Sequence, residues 1–470
     1  MARYDIEGFK RRIGPIRTED NPRLVQQKSR DFYWYSPVLK RELDQVSGDL
    51  VVFPTSEAEV LQTLAAAHEL AIPVTPRGTG TGNYGQAMPL SGGIVLDLSG
   101  FNRLLSVGKG RYVAEPGAVI GGLDAEIIAK SGQELRLFPS TRATATIGGF
   151  IAGGSGGVGS IRWGGLRDFG NIIRLKVATM EASPRILDLS GEDLHKVAHA
   201  YGTNGIITEV EMPLGPAIDW VDVFVGFDDL ARAAAYANAL GEQDGLLLKE
   251  LAVIAAPIPH DYLTRHARFF PRHKHVVAIM AADFAVDALA AFTARTAGAE
   301  ILARFDRLSD TDKQGLPPCY ELCWNHTTLR ALRHDPGYTY LQVLYPFPNQ
   351  LDLVSRIHAR FGDEVQCHLE FVRFDGKITC FGLPLVRFTT EERLDEIMRI
   401  HEDMGAPIFN AHRVTLEEGG MKQTDAVQLA FKREADPQGL LNPGKMIAWE
   451  DPDYDYTSGK TFLFKGLTAR

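Results

Sequence analysis

The sequence predicts an α+β protein of two or three domains, and three observations lead to that fold class. The chain has 470 residues, more than a single hydrophobic core usually organises. Strand-like and helix-like segments alternate through residues 1–215 around two glycine-rich runs. Beyond residue 215 these runs stop, and strand–helix–strand units follow. We therefore expect a first domain over residues 1–215 and a second α+β domain after it.

The first domain begins with clear local signals. Residues 51–53 are strand-like, and Ser56 with Glu59 forms a capping box for the helix that follows. Two more strands are expected near residues 72–75 and 94–98. The first glycine-rich run lies between them, so it joins ordered elements and is not a flexible linker.

The second domain has a different pattern. Residues 220–225 and 246–251 are strand-like, and an alanine-rich helix capped by Asp228 or Asp229 lies between them. Another unit of this kind starts near residues 275–281. Such units in alternating order are typical of a ferredoxin-like domain. No internal repeat is visible in the sequence.

Composition and charge exclude several classes of protein. Hydrophobic residues make up 45% of the chain and charged residues 23%, as in ordinary globular enzymes. The formal net charge of −9 does not favour a nucleic-acid partner. No apolar stretch reaches the roughly 20 residues of a membrane span, and residues 1–14 lack a secretory core. We expect a cytoplasmic protein.

The cysteines do not indicate a metal site or a disulfide framework. Cys319 and Cys323 form one closely spaced pair, but no second pair accompanies them at zinc or iron–sulfur spacing. The other two cysteines are Cys367 and Cys380. Four thiols in so long a chain are expected to be reduced and partly buried.

Both glycine-rich runs match the G-x-G-x-x-G pattern of dinucleotide-binding folds. The matches are Gly80, Gly82 and Gly85, then Gly154, Gly156 and Gly159. A Rossmann site needs a helix directly after the loop, but the residues that follow each run do not look like a helix start. We reject that fold. Because glycine allows positive φ and close approach, we expect loops whose backbone N–H groups surround phosphate oxygens.

Five motifs in order resemble those of the vanillyl-alcohol oxidase/PCMH flavoprotein superfamily. They lie at residues 76–81 with 92–98, at 113–117, at 139–152 followed by Trp163 and Gly164, at 202–208, and at 441–445. Within the superfamily, the chain most resembles the group of the glycolate oxidase subunit and D-lactate dehydrogenase.

The resemblance implies a PCMH-type FAD-binding domain over residues 1–215. It implies a ferredoxin-like substrate or cap domain over residues 216–420, and a segment, 421–470, that returns to the FAD domain at Asn442. The implied FAD-binding residues are Arg77, Gly78, Thr79, Gly80, Thr81, Gly82, Asn83, Tyr84, Pro139, Thr144, Thr146, Ile147, Gly148, Gly149, Ile151, Ala152, Ile206, Ile207, Asn442 and Lys445.

The resemblance also bears on how the flavin is attached. Some members of the superfamily bond FAD covalently through a histidine after the first loop, where Thr81 stands here. Others use a cysteine in the second loop, and no cysteine precedes Cys319. We therefore predict non-covalent FAD.

The catalytic residues are harder to predict. The related hydroxy-acid dehydrogenases carry Glu-His-Gly and Gly-Asn-x-His motifs that bind a metal in several members, and neither motif is present here, so we predict no metal. A flavin enzyme still needs a base and a substrate anchor. The candidates are His412, Arg413, His368, Glu417, Asn325 and His326. For each histidine, a surface position or a hydrogen-bonded core position is the alternative.

The predicted function is an FAD-dependent dehydrogenase or oxidase. It would oxidise a C–H bond beside a hydroxyl, in a 2-hydroxy acid or an aromatic alcohol, by hydride transfer to flavin N5. The alternative is an FAD-carrying subunit of an electron-transfer complex of the glycolate oxidase type. We expect a small-molecule substrate, an electron acceptor that no motif identifies, and no membrane span. The sequence leaves open whether the chain forms a homo-oligomer.

Overall fold

A computed structural model describes residues 4–154, 156–420 and 424–455 of the protein. Within them the chain forms four β-sheets, of four, six, eight and three strands. The two sheets of the N-terminal half carry the glycine-rich runs, and the eight-stranded sheet forms most of the second half. None of the described helices is both long and apolar enough to cross a membrane.

The four-stranded sheet comes first. It contains β1 (Thr18–Glu19), β2 (Leu50–Val52), β3 (Val74–Arg77) and β4 (Ile94–Asp97), and the helices of this part are α1 (Ile6–Ile13), α2 (Pro22–Lys28), α3 (Pro37–Leu43) and α4 (Glu57–Glu69). The spatial order is β1–β2–β4–β3. The Ser56 hydroxyl accepts a hydrogen bond from the Glu59 N–H, so the predicted cap of α4 is confirmed. Val60 and Leu64 of α4 are fully buried on this sheet, and such burial stabilises by about 1.5–3 kcal/mol per side chain.

The six-stranded sheet follows. It contains β5 (Leu104–Gly108), β6 (Arg111–Ala114), β7 (Gln133–Leu135), β8 (Arg174–Ala178), β9 (Ile186–Ser190) and β10 (Ile206–Pro216), with helices α5 (Ile120–Ser131), α6 (Ile147–Gly153) and α7 (Ser160–Trp163). The order is β5–β6–β10–β8–β9, and β7 also pairs with β10. Gly132 ends α5 in the left-handed conformation that glycine adopts most easily. The helix α7 starts directly after Gly159, so the prediction that no helix follows the second run was wrong.

The eight-stranded sheet begins at Trp220. Its strands are β11 (Trp220–Phe227), β12 (Leu248–Ile254), β13 (His275–Ala282), β14 (Glu300–Arg304), β16 (Gln342–Tyr345), β18 (His368–Phe374), β19 (Lys377–Gly382) and β21 (Ile408–Phe409); a small sheet is formed by β15 (Tyr338–Tyr340), β17 (Val365–Gln366) and β20 (Leu385–Arg387). The helices of this part are α8 (Leu230–Gly241), α9 (Ile258–Tyr262), α10 (Val286–Ala294), α11 (Asp310–Lys313), α12 (Asn325–His334), α13 (Gln350–Phe361) and α14 (Glu391–Asp403).

This sheet consists of two ferredoxin-like units joined at their edges. The first unit has the order β14–β11–β13–β12, and the second, β18–β19–β16–β21, has the same order reversed. The units meet where β12 pairs with β18, with Ala252 opposite Glu370. One ferredoxin-like domain was predicted and no repeat was visible, so the sequence concealed a structural duplication.

The sheet separates two cores. Helices α8, α10, α13 and α14 pack on one face, with residues such as Leu251 and Leu369 between them. The other face packs against the N-terminal half, where Ala252 and Ile254 share a core with Phe138. The chain then returns to the first sheet, because the Asn442 N–H donates to the Val74 carbonyl at 2.9 Å. The last helices are α15 (Ala426–Ala435) and α16 (Ile447–Glu450).

Candidate functional site: a cavity between the glycine loops and the eight-stranded sheet

A cavity of about 280 Å³ runs between the N-terminal half and the eight-stranded sheet. We call one part the loop end, formed by residues 76–84 and 139–149. The other part, the sheet end, is formed by Arg167, Trp324, Asn325, Gln342, Val372, Arg373, Phe374, Phe381, Leu383 and Phe409. The cavity thus reaches from the glycine-rich loops to the strands of the second ferredoxin-like unit.

The first glycine-rich loop presents its backbone to the cavity. Across the described ranges, no hydrogen bond is donated by the backbone N–H groups of residues 79–82, although all four residues line the cavity. Thr79 is exposed and residues 80–82 are half-buried, so these N–H groups are available to an anion that enters the cavity. Gly80 has a φ of +74°, and a Cβ there would lie 2.1 Å from the Arg77 guanidinium. Only glycine gives this loop its shape.

The two loops are tied to each other. The Thr79 hydroxyl donates to the Thr144 carbonyl at 2.7 Å. A Cβ on Gly78 would lie 2.0 Å from the Thr146 hydroxyl oxygen, so the loops touch at that point. Thr146 also caps α6 by accepting a hydrogen bond from the Gly149 N–H. The contacts hold both loops in one arrangement around the cavity.

Three polar side chains hydrogen-bond to the backbone of residues 85–87, directly after the first loop. The Lys445 ammonium donates to the Gly85 carbonyl, and the Asn442 amide donates to the Gln86 carbonyl at 2.9 Å. The Asp31 carboxylate accepts from the N–H of Ala87 at 3.3 Å. Burial raises the pKa of Asp31 and lowers that of Lys445, and the attraction between the two groups opposes both shifts.

The second glycine-rich run serves a different purpose. A Cβ on Gly154 would lie 2.1 Å from the His199 ring, and one on Gly157 would lie 2.4 Å from the Phe138 carbonyl. At Gly156 a Cβ would come within 3.1 Å of the Trp324 ring. Gly154, Gly156 and Gly157 thus allow other parts of the chain to approach the run closely, and Gly154 and Gly156 also line the cavity.

The sheet end combines cationic and apolar groups. Arg167 is half-buried and lines the cavity, and burial lowers the pKa of its guanidinium to about 9. Arg373, at the end of β18, also borders this part, but its guanidinium donates to the Gly376 carbonyl in the turn after the strand, at 3.5 Å. The wall around them is apolar, with Val372, Phe381 and Phe409. An arginine in such surroundings can hold a carboxylate through two parallel hydrogen bonds.

His199 and Tyr201 also line the cavity. A Cβ on Gly420 would lie 2.7 Å from His199 Nε2 and 3.0 Å from the Tyr201 hydroxyl, so both groups point to the same place. Their N–H groups donate to the carbonyls of Ile151 and Ala152, which fixes this segment on α6. Burial raises the pKa of Tyr201 above its ordinary value, so the phenol stays protonated.

Residues 48–187 match a family described as FAD binding domain. The match includes the first loop, the second loop and the strands between them. The chain carries a PCMH-type FAD-binding domain. The unpaired N–H groups of residues 79–82 and the long cavity fit a ligand with a diphosphate and a large ring system.

Several curated relatives match this part of the chain. They include an uncharacterized FAD-linked oxidoreductase of Mycobacterium tuberculosis, the glycolate oxidase subunit GlcD of Escherichia coli and a mitochondrial D-lactate dehydrogenase (cytochrome) of Arabidopsis thaliana. The identities are 30, 30 and 34%, over 40, 39 and 35% of this chain. The matched segments span 43, 38 and 30% of those proteins, less than half of each.

The likeness to solved structures extends further but concerns only the fold. An alkyldihydroxyacetonephosphate synthase aligns with a TM-score of 0.69 at 17% identity, over 91% of this chain and 82% of that one. A second crystal form of such a synthase gives 0.62 at 18% identity, over 85% and 77%. The two proteins therefore share a fold over most of this chain.

Most of the FAD-binding residues predicted from the motifs line the cavity. They are Arg77, Gly78, Thr79, Gly80, Thr81, Gly82, Asn83, Tyr84, Pro139, Thr146, Gly148, Gly149, Ala152, Ile206 and Ile207. The others, Thr144, Ile147, Ile151, Asn442 and Lys445, stand outside the lining. Thr81 occupies the histidine position of covalent flavoproteins, and none of the four cysteines lines the cavity, in agreement with non-covalent FAD.

The predicted catalytic residues are placed differently. Of the six, only Asn325 lines the cavity. His412 Nε2 donates to the Tyr340 carbonyl at 3.0 Å, and its Nδ1 lies 2.7 Å from the hydroxyl oxygen of Ser36, which caps α3. Burial lowers the pKa of His412 to about 4, so the ring is a neutral link between two segments. Arg413 beside it does not reach the lining.

Glu417, His368 and His326 are also outside the cavity lining. The Glu417 carboxylate accepts from the N–H groups of Ile447 and Ala448 and so caps α16. His368 is fully buried and lies 2.7 Å from a Glu370 carboxylate oxygen. His326 lies within α12, and burial lowers its pKa to about 4. These positions assign the three residues to the framework.

Sequence reasoning missed most of the sheet end. Arg167 follows the Trp163–Gly164 part of the second motif closely, and this proximity was a usable signal. His199 precedes the motif at residues 202–208 in the same way. Gln342, Arg373 and Phe409 carry no local signal, since only the pairing of β16, β18, β19 and β21 brings them together.

Proposed function

We propose that this protein is an FAD-dependent oxidoreductase that oxidises the C–H bond beside the hydroxyl of a 2-hydroxy acid. The observation that carries this proposal is Arg167, a half-buried arginine that lines the sheet end together with Val372 and Phe381. A substrate carboxylate held by this guanidinium would fix the orientation of the substrate, and the apolar side chains would contact the rest of it. An aromatic alcohol offers no carboxylate for such a contact.

Oxidation also requires that the hydroxyl proton be removed. When bound, FAD supplies the hydride acceptor at N5. We assign the proton to His199, because its Nε2 and the Tyr201 hydroxyl converge on one point of the cavity wall. His199 then replaces His412 and His368 as the candidate base, since neither of these lines the cavity.

Reduction of the bound flavin tests the proposal. The purified protein is mixed anaerobically with a panel of D- and L-2-hydroxy acids and aromatic alcohols, and bleaching of the flavin absorbance is followed. We expect bleaching by at least one 2-hydroxy acid. Bleaching only by alcohols that lack a carboxylate would contradict the assignment of Arg167.

A second candidate function is an FAD-carrying subunit of an electron-transfer complex. The relative named glycolate oxidase subunit GlcD, 30% identical over 192 residues, supports it. This candidate predicts that the flavin is reduced by substrate but is reoxidised quickly only when another protein is added. Rapid turnover of the isolated chain with oxygen or a soluble dye would favour the first proposal.

A further inference from the structure

Trp324 has an unusual position at the boundary between the two halves of the molecule. It directly precedes α12 and lines the cavity. Its φ is +52°, in the left-handed region that bulky residues rarely adopt. A large side chain keeps such a conformation only where its surroundings hold it. The contacts that hold Trp324 therefore indicate what the residue does.

Two buried carboxyl groups hold both N–H groups of Trp324. Its backbone N–H donates to Glu370, and its indole N–H donates to Glu250 at 3.1 Å. Glu250 belongs to β12 and Glu370 to β18, the two strands that join the ferredoxin-like units. Trp324 is thus held where β12 pairs with β18, the junction of the two ferredoxin-like units.

The two carboxyl groups act as a pair. They are 2% and 0% exposed, and their carboxylate oxygens lie within 4.8 Å of each other, so two negative charges there would repel. Burial raises the pKa of both groups. The neighbouring His368 Nε2 lies 2.7 Å from a Glu370 carboxylate oxygen, and burial lowers the pKa of the imidazole to about 4. Both carboxyl groups accept from N–H donors: Glu370 from the Trp324 backbone, and Glu250 from the Trp324 indole and the Leu251 backbone.

On its other side, the indole ring touches the second glycine-rich run. A Cβ on Gly156 would lie 3.1 Å from the Cη2 and Cζ3 atoms of the ring. The ring therefore lies between the β12–β18 pairing and this glycine-rich run, and it forms part of the cavity wall there.

We propose that Trp324 sets the size of the substrate that this cavity accepts, and that the Glu250–Glu370 pair is its positioning anchor. The proposal rests on the proposed function, because it concerns the substrate of that site. It adds that the favoured 2-hydroxy acids have short side chains, since the indole occupies the space that a longer chain would need.

The first test replaces Trp324 by alanine and compares substrates of increasing length. Relative to wild type, we expect the ratio of kcat/KM for a long-chain or aryl 2-hydroxy acid to that for a short one to rise at least tenfold. The FAD content per chain should stay unchanged. The control is Trp163→Phe, which alters a tryptophan that packs between Arg136 and Arg162 outside the cavity lining. A ratio within twofold of wild type in Trp324→Ala would overturn the proposal.

A binding experiment separates this proposal from the proposed function. Redox-inert carboxylates from acetate to naphthoate are titrated into the FAD-loaded protein, and the shift of the flavin spectrum gives each dissociation constant. Trp324→Ala should strengthen binding of the bulky carboxylates relative to acetate at least tenfold, whether or not any hydroxy acid reduces the flavin. If the wild-type flavin is never reduced but this shift is observed, the oxidoreductase proposal fails and the role of Trp324 stands. If Trp324→Ala leaves the dissociation constants of the bulky carboxylates relative to acetate unchanged, that role is overturned.

The anchor is tested by two variants of Glu250. Glu250→Gln keeps the shape and an oxygen that accepts from the indole, so we expect the size preference of wild type. Glu250→Ala removes the acceptor, and its preference should shift towards that of Trp324→Ala. If Glu250→Gln and Glu250→Ala have the same size preference, Glu250 does not position Trp324. A stoichiometric divalent metal that disappears in Glu250→Gln would also contradict the anchor, because Glu250, Cys323 and Glu370 lie close enough to bind an ion.

Discussion

The loop end of the cavity is built from backbone, whereas the sheet end is built from side chains. At the loop end, residues 79–82 line the cavity and, within the described ranges, their N–H groups donate no hydrogen bond, while the glycines at residues 78 and 80 allow close approach of Thr146 and Arg77. At the sheet end, Arg167, Arg373 and Trp324 come from separate elements. The difference is physical: a diphosphate is the same in every FAD, so backbone suffices, while a substrate must be selected by side chains. Substitutions at the two ends should therefore have separable effects.

The largest effect is expected at the loop end, from Gly80→Val. Its φ of +74° and the 2.1 Å approach to the Arg77 guanidinium leave no space for a side chain. We expect the FAD content of the purified protein to fall below about one tenth of wild type, measured by the ratio of absorbance at 450 and 280 nm. Gly122→Ala is the control: no atom lies within 4 Å of the added Cβ, and FAD content should be unchanged. Full FAD content in Gly80→Val would refute the assignment of this loop.

The next effect separates the sheet end from the loop end. Arg167→Met should lower kcat/KM for a 2-hydroxy acid by roughly 10²–10³-fold, mostly through KM, because a buried charge pair with the carboxylate is lost. The FAD content should stay at the wild-type level. Arg162→Met removes a neighbouring arginine that packs on Trp163 outside the lining, and it should behave like wild type. Equal kcat/KM in the two variants is the result that our assignment does not allow.

A third prediction concerns the support behind the first loop. Lys445→Met leaves the buried Asp31 carboxylate without its nearest buried cation, and we expect the free energy of unfolding to fall by about 3–5 kcal/mol. The double variant Asp31→Asn/Lys445→Met should recover part of that loss. Urea denaturation of Asp31→Asn, Lys445→Met and the double variant measures the loss in each. A strictly additive loss would show that the two residues do not interact.

The smallest effect concerns pH. Burial lowers the pKa of His266, His326, His368 and His412 to about 4, below the ordinary value of 6.5. Between these values the unfolded chain binds more protons than the folded one. The stability contributed by each neutral histidine is therefore present above pH 6.5 and is lost as the pH falls towards 4.

The pH effect can be measured on His412. We expect His412→Gln to be less stable than wild type at pH 7, and the gap to narrow by roughly 1–3 kcal/mol between pH 6.5 and pH 4.5. Thermal denaturation at both pH values measures the gap, and flavin reduction at pH 7 should be little changed in the folded variant. A loss of flavin reduction at unchanged FAD content would return His412 to the active site.

The sequence predicted the loop end far better than the sheet end, and the reason lies in how each is encoded. Gly80 and its neighbours are consecutive, and their conformational requirement can be read from residue type alone. Arg167, Gln342, Arg373 and Phe409 are scattered along the chain, and strand pairing brings them together. Polar density alone does not separate a base from a structural histidine, and His412 is bonded to Ser36 and Tyr340 away from the cavity lining.

The second glycine-rich run shows the limit of motif reading most clearly. Its composition matches that of a phosphate loop, but Gly154 and Gly156 are required by the rings of His199 and Trp324. Those rings arrive from residues that are distant in sequence, so no local pattern could reveal them. The two ferredoxin-like units were likewise hidden, because sheet order is preserved between them while sequence is not.

The most direct test of the division between the two ends is one anaerobic titration. Wild type and Arg167→Met, each loaded with FAD, are titrated with a short 2-hydroxy acid while the flavin absorbance is recorded. Our account predicts that wild-type flavin bleaches at low substrate concentration, and that Arg167→Met holds the same amount of FAD but needs at least 100-fold more substrate. Bleaching of both proteins at the same concentration, or loss of FAD from Arg167→Met, would contradict it.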